Sequence, residues 1–267
     1  MSCFAAPATG ARCRVCGRRT KRGFTLVELL VVLAIIGVLV GILVPALGMV
    51  RRSALATSDL SNLRSLMQAH MAYMNANDER FVDVGLPHGT PADPSLSFVN
   101  KLKPYFSGGT AVYRSPLDQS PHWSPDEGGE ESYPVVDGAN PVWRHTSYGM
   151  NNYLSRTFSP LVALDGPGAA PDKLSRVSKP DGIVCFLLMT ERGSYASADH
   201  PHVEEWGSAP IPARQAASQV FISAVDRRPP TEGSLSDYVF LDGRTATLRF
   251  DNVYRSDQEN ALDPTLH

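Results

Sequence analysis

The sequence predicts an α+β fold in which a long N-terminal α-helix packs on an antiparallel β-sheet head with long loops. Three observations predict this fold. They are an apolar run at residues 26–44, an apolar stripe of helical spacing after that run, and short apolar segments between Pro and Gly in the remainder. A chain of 267 residues is long enough for one or two domains with a well-buried core.

The composition is that of an ordinary globular protein, with 43% hydrophobic residues, 19% charged residues and a net charge of −2. It excludes a collagen-like chain and a wholly disordered one. The charge is uneven, because residues 1–23 contain six basic side chains and no acidic one, whereas the remainder has 19 basic and 27 acidic side chains. Nucleic-acid binding requires clustered Lys and Arg, so no nucleic-acid partner is predicted.

The apolar run predicts a helix that crosses the lipid bilayer once. Residues 24–44 contain a single charged side chain, Glu28, and a helix of this length measures about 31 Å. Six basic residues precede the run and two, Arg51 and Arg52, follow it closely, so the N-terminus is expected to stay in the cytoplasm while the acidic body is exported. A cleaved secretory signal ending at Val44 to Ala46 is the alternative, but the run is longer than a typical signal core.

The helix is predicted to continue beyond the membrane to about residue 75. Pro45 cannot donate a backbone hydrogen bond, so a kink is expected there. Apolar residues then recur at spacings of three and four, which is typical of one buried helix face: Leu60, Leu63, Met67, His70 and Met74. We expect His70 to be a packed core residue and not a metal ligand.

The head is predicted to be built from strands and loops. The strand candidates are residues 112–113, 183–189, 220–225, 238–241 and 246–250. Asp242-Gly243 predicts a hairpin between the last two candidates, because glycine accepts the positive φ of a tight turn. No helix is predicted between these segments, which favours an antiparallel sheet.

Residues 21–28, K-R-G-F-T-L-V-E, resemble the prepilin cleavage and methylation motif of type IV pilins and type II secretion pseudopilins. The resemblance implies that a prepilin peptidase cuts between Gly23 and Phe24 and that Phe24 is then N-methylated. It makes Glu28 the fifth mature residue, which would pair with the Phe24 amine of a neighbouring subunit. It also puts Pro45 where the family often kinks its helix.

The resemblance divides the chain into a basic cytoplasmic leader that is removed (1–23), a transmembrane helix (24–45), an amphipathic continuation (46–77) and a periplasmic or extracellular head (78–267). The expected location is the inner membrane, followed by a filament after assembly. The implied partners are prepilin peptidase, other pilin or pseudopilin subunits, and an inner-membrane assembly platform.

Three head segments are similar to elements of the large Planctomycete-type pilin-like proteins. They are Y-R-S-P-L-D at 113–118, S-Y-G-M-N-N-Y at 147–153 and Y-V-F-L-D-G at 238–243. This chain departs from the pattern at Ser115, where Cys is usual, and at Arg244 and Glu232, where His is common.

Motifs of common enzymes are missing from the sequence: it contains no G-x-S-x-G, Walker or H-E-x-x-H pattern, so neither catalysis nor a cofactor is predicted. One cluster suggests a metal, because His200, His202 and Glu204 share one face of an extended strand and could bind zinc or iron. Pro201 favours a loop instead, so we expect these residues to be solvated.

Calcium is a separate hypothesis, for which Asp237, Asp242 and Asp251 would supply oxygen ligands. A sugar-binding face is another, and its candidate side chains are Trp123, Trp143 and Trp206, although packing in the core or in loops is the simpler expectation.

The sequence therefore predicts a non-enzymatic structural subunit of a pilus or type II secretion pseudopilus. A head of about 190 residues favours a minor or specialised subunit. The alternatives are a membrane-anchored exported module that binds glycans or solutes, and a periplasmic metalloenzyme.

Overall fold

The computed structural model describes residues 23–91, 93–106, 110–128, 132–136 and 138–266. The chain divides into two compact units, Met1–Gly48 and Met49–His267. Helix α1, Leu26–Ala76, contributes residues to both units.

The first unit consists, in its described part, of the N-terminal portion of α1 and the residues just before it. Every residue from 24 to 44 is exposed. This segment is apolar and long enough to cross a membrane, and α1 is the one helix in the described part of the chain with that property. An exposed apolar surface of this extent is unfavourable in water, because each buried Leu or Val side chain would gain about 1.5–3 kcal/mol.

The second unit contains two antiparallel sheets in the described part of the chain. The larger has the strand order β1-β2-β3-β4, and the smaller pairs β5 with β6. Their bounds are β1 Tyr148–Met150, β2 Val184–Leu188, β3 Leu235–Phe240, β4 Thr245–Arg249, β5 Tyr254–Ser256 and β6 Glu259–Asn260.

Short helices and 3-10 turns connect these strands. The α-helices are α2 Phe98–Leu102, α3 Pro125–Gly128, α4 Pro160–Asp165 and α5 Pro212–Ala217. The 3-10 turns are Pro94–Leu96, Lys103–Tyr105, Thr110–Tyr113, Asn152–Leu154, Leu174–Arg176, Pro180–Gly182, Ser194–Ser197, Val203–Ser208, Phe250–Asn252 and Pro264–Leu266.

One face of the large sheet packs on the C-terminal part of α1. The buried residues of this first core include Leu63, Leu66, Met67 and Met74 of the helix and Tyr148, Met150, Phe186, Leu188 and Val239 of the sheet. His70 lies in the same core, where its Nε2 accepts a 3.1 Å hydrogen bond from the Val82 amide. Burial lowers the pKa of His70 to about 3, so the ring is neutral and packed, as the sequence predicted.

The opposite face of the sheet forms a second core with α5, Trp206 and the C-terminal segment. Side chains of β3 alternate between the two cores, as a regular strand requires. In β2, the consecutive residues Cys185 and Phe186 both face the first core. The reason is a register shift between Val184 and Phe186, where β2 has one more residue than β3 opposite it.

Asp242-Gly243 lies in the turn between β3 and β4, as predicted. Gly243 has φ +91°, and the Arg244 amide donates a 2.9 Å hydrogen bond to Asp242 Oδ1. The strands predicted at 183–189, 238–241 and 246–250 correspond to β2, β3 and β4.

Other parts of the strand prediction were wrong. Residues 112–113 belong to a 3-10 turn, and residues 220–225 form turns with one isolated bridge between Val220 and Met189. Strand β1 was not predicted, and the short helices α4 and α5 lie between strands where none was expected.

Candidate functional site

The N-terminus of α1 is closed by a reciprocal cap. The Thr25 amide and hydroxyl donate to Glu28 Oε2 over 2.9 and 2.8 Å, and the Glu28 amide donates to Thr25 Oγ1 over 3.2 Å. This is the arrangement of a capping box, in which a Thr and the acidic residue three positions later satisfy the free amides of the first turn. The T-x-x-E pattern of residues 25–28 is the sequence signal for this contact.

The other predicted processing residues lie beside this cap. Gly23 and Phe24 are exposed, and the Phe24 residue is 74% exposed. Residues 1–22, which include most of the leader and the basic part of its motif, lie outside the described residues. Helix α1 runs through position 45, but the side chain of Pro45 also lies outside the description, so the kink there stays a prediction.

A buried hydrogen-bond network joins α1 to two of the head segments that carried the family resemblance. Ser115 Oγ and the Tyr148 hydroxyl both donate to Asp59 Oδ1, the latter over 2.6 Å. Ser147 Oγ accepts from the Ser115 amide over 2.9 Å and donates to Asp118 Oδ2 over 2.5 Å. The two segments therefore meet at one acidic residue of the helix.

Asp59 also interacts with Asp237 of β3, and both carboxyl groups are buried. Desolvation raises the pKa of Asp59 to about 7 and that of Asp237 to about 6. Within the described residues, Oδ2 of each aspartate has no other hydrogen-bond partner. Two carboxylates can only accept hydrogen bonds, whereas one protonated carboxyl group can donate a hydrogen bond to the other. The pair therefore carries a proton near neutral pH.

Asp118 forms a buried ion pair with Arg144. The Nε–Oδ2 distance is 2.8 Å, and both side chains are 1% exposed. The remaining guanidinium nitrogens donate to the carbonyl oxygens of Thr190 (2.7 Å), Ala196 (2.8 Å) and Met189 (3.2 Å). Arg144 thus satisfies the hydrogen-bonding capacity of three backbone carbonyl groups that follow β2.

Three histidines converge in another part of the head. The ring centroids of His88 lie 5.1 Å from His200 and 4.6 Å from His202, and the latter two are 5.4 Å apart. One ring nitrogen of each lies within 4.8 Å of the other two. Tyr195 stacks on His88 at 4.1 Å, and Phe158 lies 4.4 Å from His200, so aromatic rings cover two sides of the cluster.

Asp199 fixes this cluster to the rest of the head. It accepts backbone hydrogen bonds from Gly85, Leu86 and Phe98 at 3.0–3.3 Å. The same carboxylate lies 3.0 Å from His200 Nδ1. Both Asp199 and His200 are fully buried, so the prediction of a solvated side chain was wrong for His200.

Glu204 has a different position from the one the sequence suggested. Its Oε1 lies 2.8 Å from His202 Nδ1, and its Oε2 accepts from Asn152 Nδ2 over 2.7 Å. The hydrogen bond to Glu204 raises the pKa of His202. Burial, followed by the nearby His200 and His202, lowers the pKa of His88 to about 4. The third member of the candidate metal cluster is therefore His88, and not Glu204 as the sequence suggested.

The aspartates of the calcium hypothesis have separate partners. Asp237 accepts from the Thr247 hydroxyl, Asp242 from the Arg244 amide, and Asp251 forms a 2.6 Å ion pair with Arg249. Among the described residues, these three aspartates do not form one cluster that could bind a cation.

The tryptophans of the sugar hypothesis are mostly packed. Trp206 and Trp123 are buried, with Trp206 Nε1 donating to Gln219 Oε1 over 3.0 Å, and Trp143 is half-buried.

An exposed apolar helical segment with one capped acidic residue, and a helix-on-sheet α+β head, define a pilin-like architecture. The family model described as the prokaryotic N-terminal methylation motif matches residues 18–44. The type IV wide pilus major component PilA4 of Thermus thermophilus is 28% identical over 135 residues, which cover 46% of this chain and 96% of that protein. No solved structure gives a significant match. These two similarities support a type IV pilin-like protein.

Proposed function

We propose that the chain is made as a prepilin, cut between Gly23 and Phe24 by prepilin peptidase, N-methylated at Phe24, and stacked through its apolar helix into a filament. The observation that carries this proposal is the exposed apolar segment of residues 24–44, which begins directly after a motif of the prepilin type. A cut at that position keeps the apolar helix in the mature protein, whereas signal peptidase would remove it.

Before assembly the apolar segment would reside in the inner membrane. The basic leader stays in the cytoplasm and the head, from about residue 78, is exported. In the filament, neighbouring helices would cover the same apolar surface that lipid covers in the membrane. The protein's work is then assembly and display of the head, with no catalytic turnover.

Glu28 is proposed to set the register between subunits. A carboxylate in an apolar environment is unfavourable unless it is paired, and the Phe24 amine that cleavage creates is the partner that a neighbour can offer. The hydrogen bonds from Thr25 satisfy the same carboxylate in the single chain.

The likeness to a pilus component favours a pilus over a secretion pseudopilus. That match spans nearly all of the relative but less than half of this chain, which therefore has much additional sequence. A large head leaves less room for its copies around a filament, so we propose a minor or specialised subunit. Quantitative mass spectrometry of purified filaments would measure its share.

Mass spectrometry of the mature N-terminus tests the central proposal. We expect the chain to begin at Phe24 and to carry one methyl group on its amine. A chain that begins at Leu47, directly after Ala46, would contradict the proposal, because the apolar helix would then be absent from the finished protein.

A further inference from the structure

The geometry points to a metal site in the head, in which His88, His200 and His202 bind one divalent transition-metal ion of the zinc class. This site is independent of the processing and assembly proposed above, because all of its residues lie in the unit Met49–His267.

The ring nitrogens are presented as metal ligands. Carboxylates accept hydrogen bonds, so the contacts with Asp199 and Glu204 require a proton on Nδ1 of His200 and His202. The lone pair of each ring is then on Nε2. Nε2 of His88 and Nε2 of His200 are buried and have no hydrogen-bond partner among the described residues. Buried polar atoms are normally satisfied, and a metal ion would satisfy both of these.

The surroundings match those of metal-binding histidines. A ligating histidine almost always donates its other ring N–H to a carboxylate or carbonyl, which fixes the ring and increases its basicity. Asp199 does this for His200 at 3.0 Å, and Glu204 for His202 at 2.8 Å. Asp199 is itself fixed by three backbone amides, so the position of His200 is rigidly defined.

The spacing is close to what one ion requires. Three nitrogens bound to a tetrahedral zinc ion at about 2.1 Å are about 3.4 Å apart. The present separations of up to 4.8 Å close to that value with side-chain shifts of about an ångström. The side chain of His202 is 23% exposed, so solvent reaches this edge and water can supply a fourth ligand.

Three imidazoles favour zinc, copper or nickel and disfavour calcium and magnesium, which prefer oxygen ligands. Such an ion would connect two distant stretches of chain, since His88 follows α1 whereas His200 and His202 follow β2. The described part of the head has one cysteine and no disulfide, so this link would be its strongest cross-connection.

The test is zinc binding by the full chain, purified in detergent and stripped with EDTA, with the leader residues Cys3, Cys13 and Cys16 replaced by Ser so that no leader thiol can bind metal. We expect one zinc ion per chain by elemental analysis after dialysis, and a melting temperature that rises with zinc concentration but not with calcium. Absence of both effects would overturn the inference.

Matched variants assign the ion to the cluster. His88→Gln and His202→Gln should each lose the bound zinc, whereas His145→Gln, which changes a half-buried histidine outside the cluster, should retain it. Glu204→Gln should weaken zinc binding roughly ten- to 100-fold and leave one ion per chain at saturation.

These outcomes separate ligation from folding. A His88→Gln or His202→Gln variant that is folded by circular dichroism and still binds zinc as tightly as the parent would overturn the inference. Cobalt substitution provides a second readout for the parent chain, because a tetrahedral nitrogen site gives visible absorption bands that are much more intense than those of the octahedral aqueous ion.

Discussion

At the scale of single residues, the carboxyl pair of Asp59 and Asp237 couples the head to pH. The folded pair retains a proton that free aspartates lose at about pH 4. A raised folded pKa stabilises the protein fully below the unfolded value, and this stabilisation is lost as pH rises through the folded pKa. The relevant window is therefore from about pH 4 to about pH 7.

Replacement of Asp237 by Asn should remove part of this dependence. The amide resembles the protonated carboxyl group, because its NH2 group can donate a hydrogen bond to Asp59 while its oxygen still accepts from Thr247. We expect Asp237→Asn to match the parent near pH 5 and to melt several degrees higher near pH 8. The measurement is the melting temperature of both proteins across this range.

The comparison with the parent is essential, because other groups titrate in the same window. Burial lowers the pKa of His70 to about 3 and that of His88 to about 4. The contribution of both histidines to the free energy of unfolding therefore increases as pH rises. Asp181→Asn, at an exposed position, is the control and should leave the profile unchanged. Parallel profiles for Asp237→Asn and the parent would contradict a shared proton.

Glu28 has two roles that a pair of substitutions separates. Glu28→Gln keeps a residue that can complete the capping box but removes the charge, whereas Thr25→Val removes the hydroxyl and keeps the charge. We expect Glu28→Gln to be cleaved normally and to reduce assembled filament by more than about 100-fold, since an unpaired buried amine costs about 3–5 kcal/mol. Sheared filament fractions measured by immunoblot give the result.

Thr25→Val should assemble at close to the parental level. If Glu28→Gln also assembled normally, the carboxylate would be only a helix cap, and the chain would be better described as an anchored binding module.

At the scale of elements, Arg144 is the main polar connection between the segment before β1 and the end of β2. Arg144→Met removes one partner of a buried ion pair and leaves the Asp118 charge with two neutral donors, the Ser147 hydroxyl and the Ser120 amide. We expect a loss of about 3–5 kcal/mol in the free energy of unfolding, measured by urea denaturation.

Arg249→Met is the matched control, because Arg249 also pairs with an aspartate but its side chain is 57% exposed. It should cost less than about 1 kcal/mol. Equal losses from the two substitutions would mean that burial does not determine the strength of these pairs.

The elements that the sequence predicted are those with a strong local pattern. Helix α1 follows from its apolar spacing, and the β3–β4 hairpin from alternation around Asp-Gly. Strand β1 has only three residues, and its sequence Y-G-M carries no alternation that identifies a strand. Residues 220–225 are apolar because they line both cores. This gives the segment the composition of a strand, although its backbone forms turns.

The candidate clusters were harder to predict, because their members are far apart in sequence. His200 and His202 attracted attention as near neighbours, but His88 is more than 100 residues earlier, and only the fold brings it to them. Asp59 is a charged residue that the apolar stripe does not include, yet it is fully buried against the sheet. The apolar periodicity of a helix does not identify a polar residue that lies on its buried face.

At the scale of the whole molecule, the head has its own two cores and should fold without the apolar segment. A chain that begins at Met49 keeps every buried residue of both cores. We expect it to be soluble without detergent, monomeric by light scattering and cooperative in thermal unfolding. Aggregation, or a melting curve without a transition, would show that the head depends on the preceding residues.

The four cysteines of the chain are Cys3, Cys13, Cys16 and Cys185, so cleavage after Gly23 would leave one thiol per molecule. Cys185 is fully buried, and burial raises the pKa of its thiol, which keeps it in the unreactive form. An alkylating reagent can therefore modify it only when the sheet opens. The rate of that labelling would report how often the head of a subunit opens locally, also when the subunit is part of an intact fibre under shear.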